Sequence, residues 1–165
     1  MSESIIRILA VDPGNEKSGY CVYHGGYVME SGSLPNSGMA LVIKAGNFDV
    51  LAIEMIASYG MAVGREVFET CLWIGRFMEC ARDPEAVNLV YRRDVKLHLC
   101  GTSKAKDANI RQALLDMFPR TGGGKTPQVG TKGQPGPLFG VSSHAWAALG
   151  VAVTAAHALQ QRIAA

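Results

Sequence analysis

Residues 5–12 read IIRILAVD, an apolar, β-branched run cut off by Asp12-Pro13-Gly14, where proline removes a donor the strand would need. A second such run, FDVLAIE, reads as a buried strand ending at Glu54. Two buried strands that each end on an acid put the chemistry-bearing groups at strand ends, where ligands collect in α/β sheets. Between them, GYCVY (19–23) and YVMESGS (27–33) read as short strands joined by the turn His24-Gly25-Gly26, which makes three antiparallel strands with the first run. Asn36 or Ser37 stands where a cap would be for a short helix, GMALVIKAG, closed by Gly46. The second run then completes a strand-helix-strand unit.

Downstream, Gly60 to about Ala81 has helical composition, with 11 apolar residues among the 18 from Met61 to Met78. A helix packed only on its own sheet needs an apolar face of about three positions in seven, so the surplus points to a second buried surface, in a partner subunit or in a deep monomer core. Val87 to Tyr91 reads as a strand, and Arg93 to Leu99 is amphipathic without a clear state. SKAKDANIRQALLDMF reads as a helix that ends before Pro119, with Ile110, Ala113, Leu114 and Met117 at helical spacing. Residues 119–140 hold 7 glycines and 4 prolines in 22 positions, a flexible basic loop carrying Arg120, Lys125 and Lys132. Ser142 or Ser143 then caps a terminal helix, HAWAALGVAVTAAHALQQRI.

At 165 residues, 48% apolar and 18% charged, the chain can bury one core, so a single domain over 1–165 is expected. It contains no apolar run of membrane-spanning length, and MSESIIRILAVD reads as neither signal peptide nor anchor, so no membrane partner is expected. Cys21, Cys71, Cys80 and Cys100 match no zinc spacing and read as reduced thiols of a cytoplasmic protein. The net charge of +2 conceals segregation. Residues 1–91 carry 6 basic and 11 acidic side chains, whereas 92–132 carry 9 basic and 3 acidic. A local excess of this kind is what a phosphate backbone selects, and also what a solvated face can carry.

Carboxylates a few ångströms apart repel one another unless a hard cation lies between them, so Asp12 and Glu54 on adjacent strand ends predict Mg²⁺ or Mn²⁺. A nucleotide cofactor is not expected. GGGKT at 122–126 lacks the glycine a phosphate loop needs at position 119, which is Pro119, and it follows a helix rather than a strand. The segment DPGNEKSGYCV also resembles the phosphate loop of actin-like ATPases and sugar kinases, but these need two lobes.

The order and spacing of ILAVDPGNEKSGYCV, VLAIEMIASYG, RRDVKLHLCGTSKAKDANIRQALLDMF and SSHAWAALGVAV resemble the RuvC-type Holliday junction resolvases, particularly phage and prophage versions, over nearly the whole chain. The resemblance implies a ribonuclease H-like α/β fold: a mixed five-stranded sheet of three antiparallel strands followed by alternating helices and parallel strands. It further implies a homodimer in a bacterial cytoplasm that binds a four-way DNA junction and cuts two strands symmetrically, with two divalent ions per active site. On that basis Asp12 bridges both ions, Glu54 holds one, and His144 stands where resolvases carry an aspartate or, in some members, histidine.

The chain departs from the pattern at Ala147, where a further metal-binding aspartate is common, and at Asp107, where resolvases commonly have lysine. Asp107 either supplies a compensating catalytic carboxylate or merely stabilises the helix N-terminus. Ala147 keeps open a catalytically impaired or non-cutting junction-binding protein of the same fold. Candidate DNA contacts are Arg65, Arg92, Arg93, Lys96, Lys104, Lys106, Lys125 and Lys132, which would meet phosphates rather than read bases. Tyr59 lies where related enzymes place an aromatic that stacks on an unpaired base.

Overall fold

A computed structural model describes residues 5–165. The β-branched runs become strands β1 (Arg7–Asp12) and β4 (Val50–Met55), flanked by β2 (Lys17–His24), β3 (Tyr27–Pro35) and β5 (Asn88–Tyr91). They form one five-stranded sheet in the order β3-β2-β1-β4-β5. β1 pairs antiparallel with β2 and β2 with β3, while β1–β4 and β4–β5 are parallel. The expected mixed sheet of three antiparallel strands followed by parallel ones is therefore present.

Alternation along the strands divides the core into two layers. Leu9, Val11, Leu51 and Ile53 pack toward helices α1 (Asn36–Ala45) and α2 (Arg65–Cys80), with Met39, Ile43, Ile74 and Phe77. Ile8, Ala10, Ala52 and Val90 face the other way, into a cluster with α3 (Arg92–Cys100), α4 (Asp107–Asp116) and α5 (His144–Ala164). Val95, Leu114, Leu149 and Val151 in that cluster are fully buried. The same two-residue period carries the side chains of Asp12 and Glu54 onto the α5 side of the sheet.

Several helix boundaries differ from the sequence expectation for local reasons. Asn36 does not cap α1: Pro35 takes that position, and the buried Asn36 instead bonds Ser18 and the carbonyl of Gly14. The helix expected from Gly60 starts only at Arg65, after an irregular stretch in which Gly60 has φ 82°. The ambiguous segment at 93–99 is helical, because Asp94 accepts the Tyr91 N–H at one end and Gly101, at φ 71°, closes the other. α4 begins at Asp107 rather than Ser103, with the Lys106 N–H bonded to Asn109 Oδ1. Ser143 holds the N-cap position of α5, yet its side chain makes no capping bond.

Residues 119–140 are irregular, and backbone hydrogen bonds tie them to one another: Gly122 to Pro127, Gly123 to Gln134, and Gly136 to Val129. A Cβ on Gly136 would fall 2.2 Å from the Pro127 oxygen, so glycine is required for that close approach. Leu138 anchors the segment in the α5 layer at 0% exposure. The four cysteines are free thiols; Cys21 is buried and the others are half-buried. Among the described residues no helix is long and apolar enough to cross a membrane.

Candidate active site

Parallel pairing of β1 with β4 aligns Val11 with Ile53, so the next residues, Asp12 and Glu54, end neighbouring strands side by side. They line a cleft of about 170 Å³ with Pro13, Met55, Ile56, Ala57, Tyr59 and Arg92. That volume admits several waters beside the two carboxyl groups.

The third member arrives from α5. The His144 Nδ1 lies 3.3 Å from Asp12 Oδ2. This approach depends on Gly19 in β2, where an added Cβ would come within 2.6 Å of the His144 backbone. It also requires an unusual turn at Ser143, whose φ of 47° places a non-glycine residue in the left-handed region. The Asp12 loop is fixed from the other side. Ser18 Oγ donates to Asn36 Oδ1 at 2.6 Å, and Asn36 Nδ2 donates to the Gly14 carbonyl at 2.8 Å.

Electrostatically the pair is unsettled. Burial pushes the Glu54 carboxyl up to about 7, and the neighbouring Asp12 charge adds to the effect. Asp12 is also raised by burial, against the lowering influence of His144 and Arg92. Glu54 Oε2 is buried with no hydrogen-bond partner among the described residues. An orphaned acceptor beside a second desolvated carboxyl is a donor set suited to a hard divalent ion, which typically takes one or two carboxylates and fills its remaining positions with water and substrate oxygens. The residues present therefore fit Mg²⁺ or Mn²⁺, which Asp12 and Glu54 would hold with His144 at the margin. Among the described residues no three His, Cys, Asp or Glu side chains converge as a closed metal cage.

The remaining candidates divide. Tyr59 reaches the cleft, 59% exposed and with φ 50°, and Arg92 lines it as the first residue of α3. Asp107 opens α4 and forms an ion pair with Arg92. Arg65 is engaged with Glu69 on α2 at 2.6 Å. Arg93, Lys104, Lys106, Lys125 and Lys132 are exposed and Lys96 is half-buried, but none of them lines the cleft. Sequence reasoning missed Gly19, Ser18 and Asn36, whose parts are long-range contacts. It placed Arg92 among the phosphate-contacting cations although Arg92 follows β5, the strand beside β4, and the strand-end rule that found the acids applies to it equally.

No protein-family model matches the chain, and no curated protein does. Among solved structures it is similar to Thermus thermophilus RuvC, with 15% identity, 96% of this chain and 97% of that chain covered, and a TM-score of 0.64. It is similar also to T. thermophilus RuvC in complex with a Holliday junction substrate, with 17% identity, 96% of each chain covered, and a TM-score of 0.63. At these identities the likeness is one of fold, and over nearly its full length this chain has the fold of RuvC.

Proposed function

We propose that this chain is a divalent-metal-dependent endonuclease that resolves four-way DNA junctions as a homodimer. The observation that carries the reading is the desolvated Asp12–Glu54 pair, touched by His144, in a fold shared with a RuvC that has been solved on a Holliday junction. Bound Mg²⁺ or Mn²⁺ would supply an activated water and neutralise charge on the phosphate. The side chains prepare for this. Glu54, whose carboxyl burial pushes up to about 7, would release its proton to hold the ion with Asp12, and His144 orients Asp12 through Nδ1. Tyr59 offers an exposed ring to a base at the cleft mouth. In the reaction the water oxygen bonds to phosphorus as the bond to the 3′ oxygen breaks. A 5′ phosphate and a 3′ hydroxyl result, the 3′ oxygen gaining the proton the water loses.

A four-way junction has two-fold character, which an isologous dimer matches. Leu41 on α1 and Phe68 and Leu72 on α2 are 69%, 62% and 65% exposed, an apolar surplus that supports a dimer face there. The basic residues Arg93, Lys96, Lys104, Lys106, Lys125 and Lys132, with Arg65, are the proposed phosphate contacts. With about six phosphates neutralised, affinity should fall roughly as the fifth power of salt.

A labelled synthetic four-way junction incubated with Mn²⁺ tests the reading. Paired, symmetric nicks lost in Asp12→Asn support it. A second reading, a junction-binding protein that does not cut, is favoured by Ala147, which leaves the first turn of α5 without a carboxylate. Tight junction binding without incision in either metal would select it.

A further inference from the structure

The acid cleft contains a cation of its own. Parallel pairing of Met55 with Tyr91 delivers Arg92, the next residue, to the end of β4 beside Glu54. Its side chain is 28% exposed, lines the cleft with Asp12 and Glu54, and donates through Nη2 to Asp107 Oδ1. Asp107 is 86% exposed and takes one part of the guanidinium. A guanidinium carries five donors in a planar fork, so the others remain for an acceptor in the cleft.

The charges then close in a particular way. Arg92 and Asp107 are paired with one another, and Asp12 and Glu54 offer two carboxyl groups, whose full charge one divalent ion balances. A second ion would stand beside a guanidinium with, among the described residues, no uncommitted third carboxylate to hold it, because Asp107 is paired with Arg92 and the residue one helical turn beyond His144 on the same face is Ala147. We propose that the site binds a single divalent ion and that Arg92, positioned by Asp107, supplies the second positive charge on the scissile phosphate. This rests on the nuclease reading above. Arg92 makes charge-assisted hydrogen bonds to the non-bridging phosphate oxygens and neither forms a covalent bond nor transfers a proton.

Calorimetric titration of the full chain with Mn²⁺, without DNA, tests the placement independently of turnover. The parent protein should bind one Mn²⁺. Arg92→Gln should still bind one, roughly tenfold more tightly, because a cation a few ångströms from the ion has been removed. Asp107→Asn should shift affinity in the opposite direction by leaving Arg92 uncompensated, and Asp107→Glu should restore it. Opposed shifts place both charges within Coulombic reach of the ion, and the cleavage rates separate a phosphate contact from a bystander pair. Arg92→Lys, which keeps the charge without the fork, should return Mn²⁺ affinity toward the parent value and guards against misfolding of the Gln variant. On a four-way junction Arg92→Gln should cut at least roughly 100-fold more slowly, the loss associated with removing one charge-stabilising donor. Two Mn²⁺ per parent chain, or no tightening in Arg92→Gln, overturns the proposal. A parent that gives no paired nicks overturns the nuclease reading and with it the part of Arg92. A cutting parent whose Arg92→Gln variant cuts equally well overturns only the latter.

Discussion

Glu54 should make the metal-free protein less stable as the solution becomes more alkaline, and replacing it should reverse that. Burial and the Asp12 charge raise its folded-state value from 4.5 to about 7. Between those values the folded chain keeps a proton that the unfolded chain has released, so stability is fully present below about pH 4.5 and is lost as pH rises through 7. The loss approaches 1.36 kcal/mol per pH unit, or about 3 kcal/mol over the interval. Glu54→Gln mimics the protonated carboxyl at every pH. The variant should match the parent near pH 4.5 and exceed it by about 3 kcal/mol at pH 8, a gain in stability bought with loss of function. Urea unfolding in EDTA, read at half-unit steps from pH 4.5 to 8.5 for both proteins, gives the difference directly. Taking the difference matters, because Asp12 is shifted in the same direction as Glu54 while burial lowers His98, so parent data alone mix their contributions. At pH 8, Mg²⁺ should restore parent stability and leave Glu54→Gln unmoved. A variant less stable than the parent at pH 8 would refute the reasoning.

Gly19→Ala should drive the start of α5 away from β2, costing about 1–3 kcal/mol in a denaturant melt and lowering junction cleavage further than the stability loss explains, since His144 is displaced from Asp12. Leu72→Glu on the exposed apolar face of α2 should leave the fold intact by circular dichroism and yield a monomer in analytical ultracentrifugation; an unchanged mass would place the dimer face elsewhere. Ala147→Asp adds a carboxylate one turn beyond His144 and should raise Mn²⁺ stoichiometry from one to two in calorimetry, and a titration that still gives one would argue against a second site there.

The acids at the ends of β1 and β4 were legible because their signal is local: a β-branched apolar run has one reading, and an acid at its end has one location. The placing of His144 with Asp12 and Glu54 came from the resemblance, and the structure brings its Nδ1 to Asp12; the residues by themselves gave only a helix start, since the contact depends on Gly19, which is 125 residues away in the chain and gives no sign of the close approach it permits. Arg92 was named as a phosphate contact without its place in the cleft. Its place in a basic segment suggested a solvated phosphate contact, while its place after a strand beside β4 already implied the cleft. Composition averages over neighbours that topology separates. Asp107 was legible as an acid near the site; that its charge is committed to Arg92 required the fold of α3 against α4. The surplus apolar residues of α2 were visible in the sequence, and the structure leaves Phe68 and Leu72 in solvent.

The costs within this fold are concentrated where the chemistry is proposed. Among the described residues the two non-glycine positions with left-handed φ are Tyr59 and Ser143, one in the cleft wall and one directly before His144, and each costs about 1–3 kcal/mol. Glu54 contributes a buried acceptor with no partner, another such cost. At the opposite ends of β1 and β4 no described non-glycine residue has a positive φ, and in the core between them Leu9, Ala10, Val11, Ala52 and Ile53 are at most 2% exposed. A core so uniformly apolar can support a strained, desolvated end. Because a divalent ion held by Asp12 and Glu54, as proposed, would relieve their repulsion and satisfy the orphaned oxygen in one event, metal affinity and folding stability would be coupled at this site, and a substitution that relaxes the cleft should weaken the first as it strengthens the second.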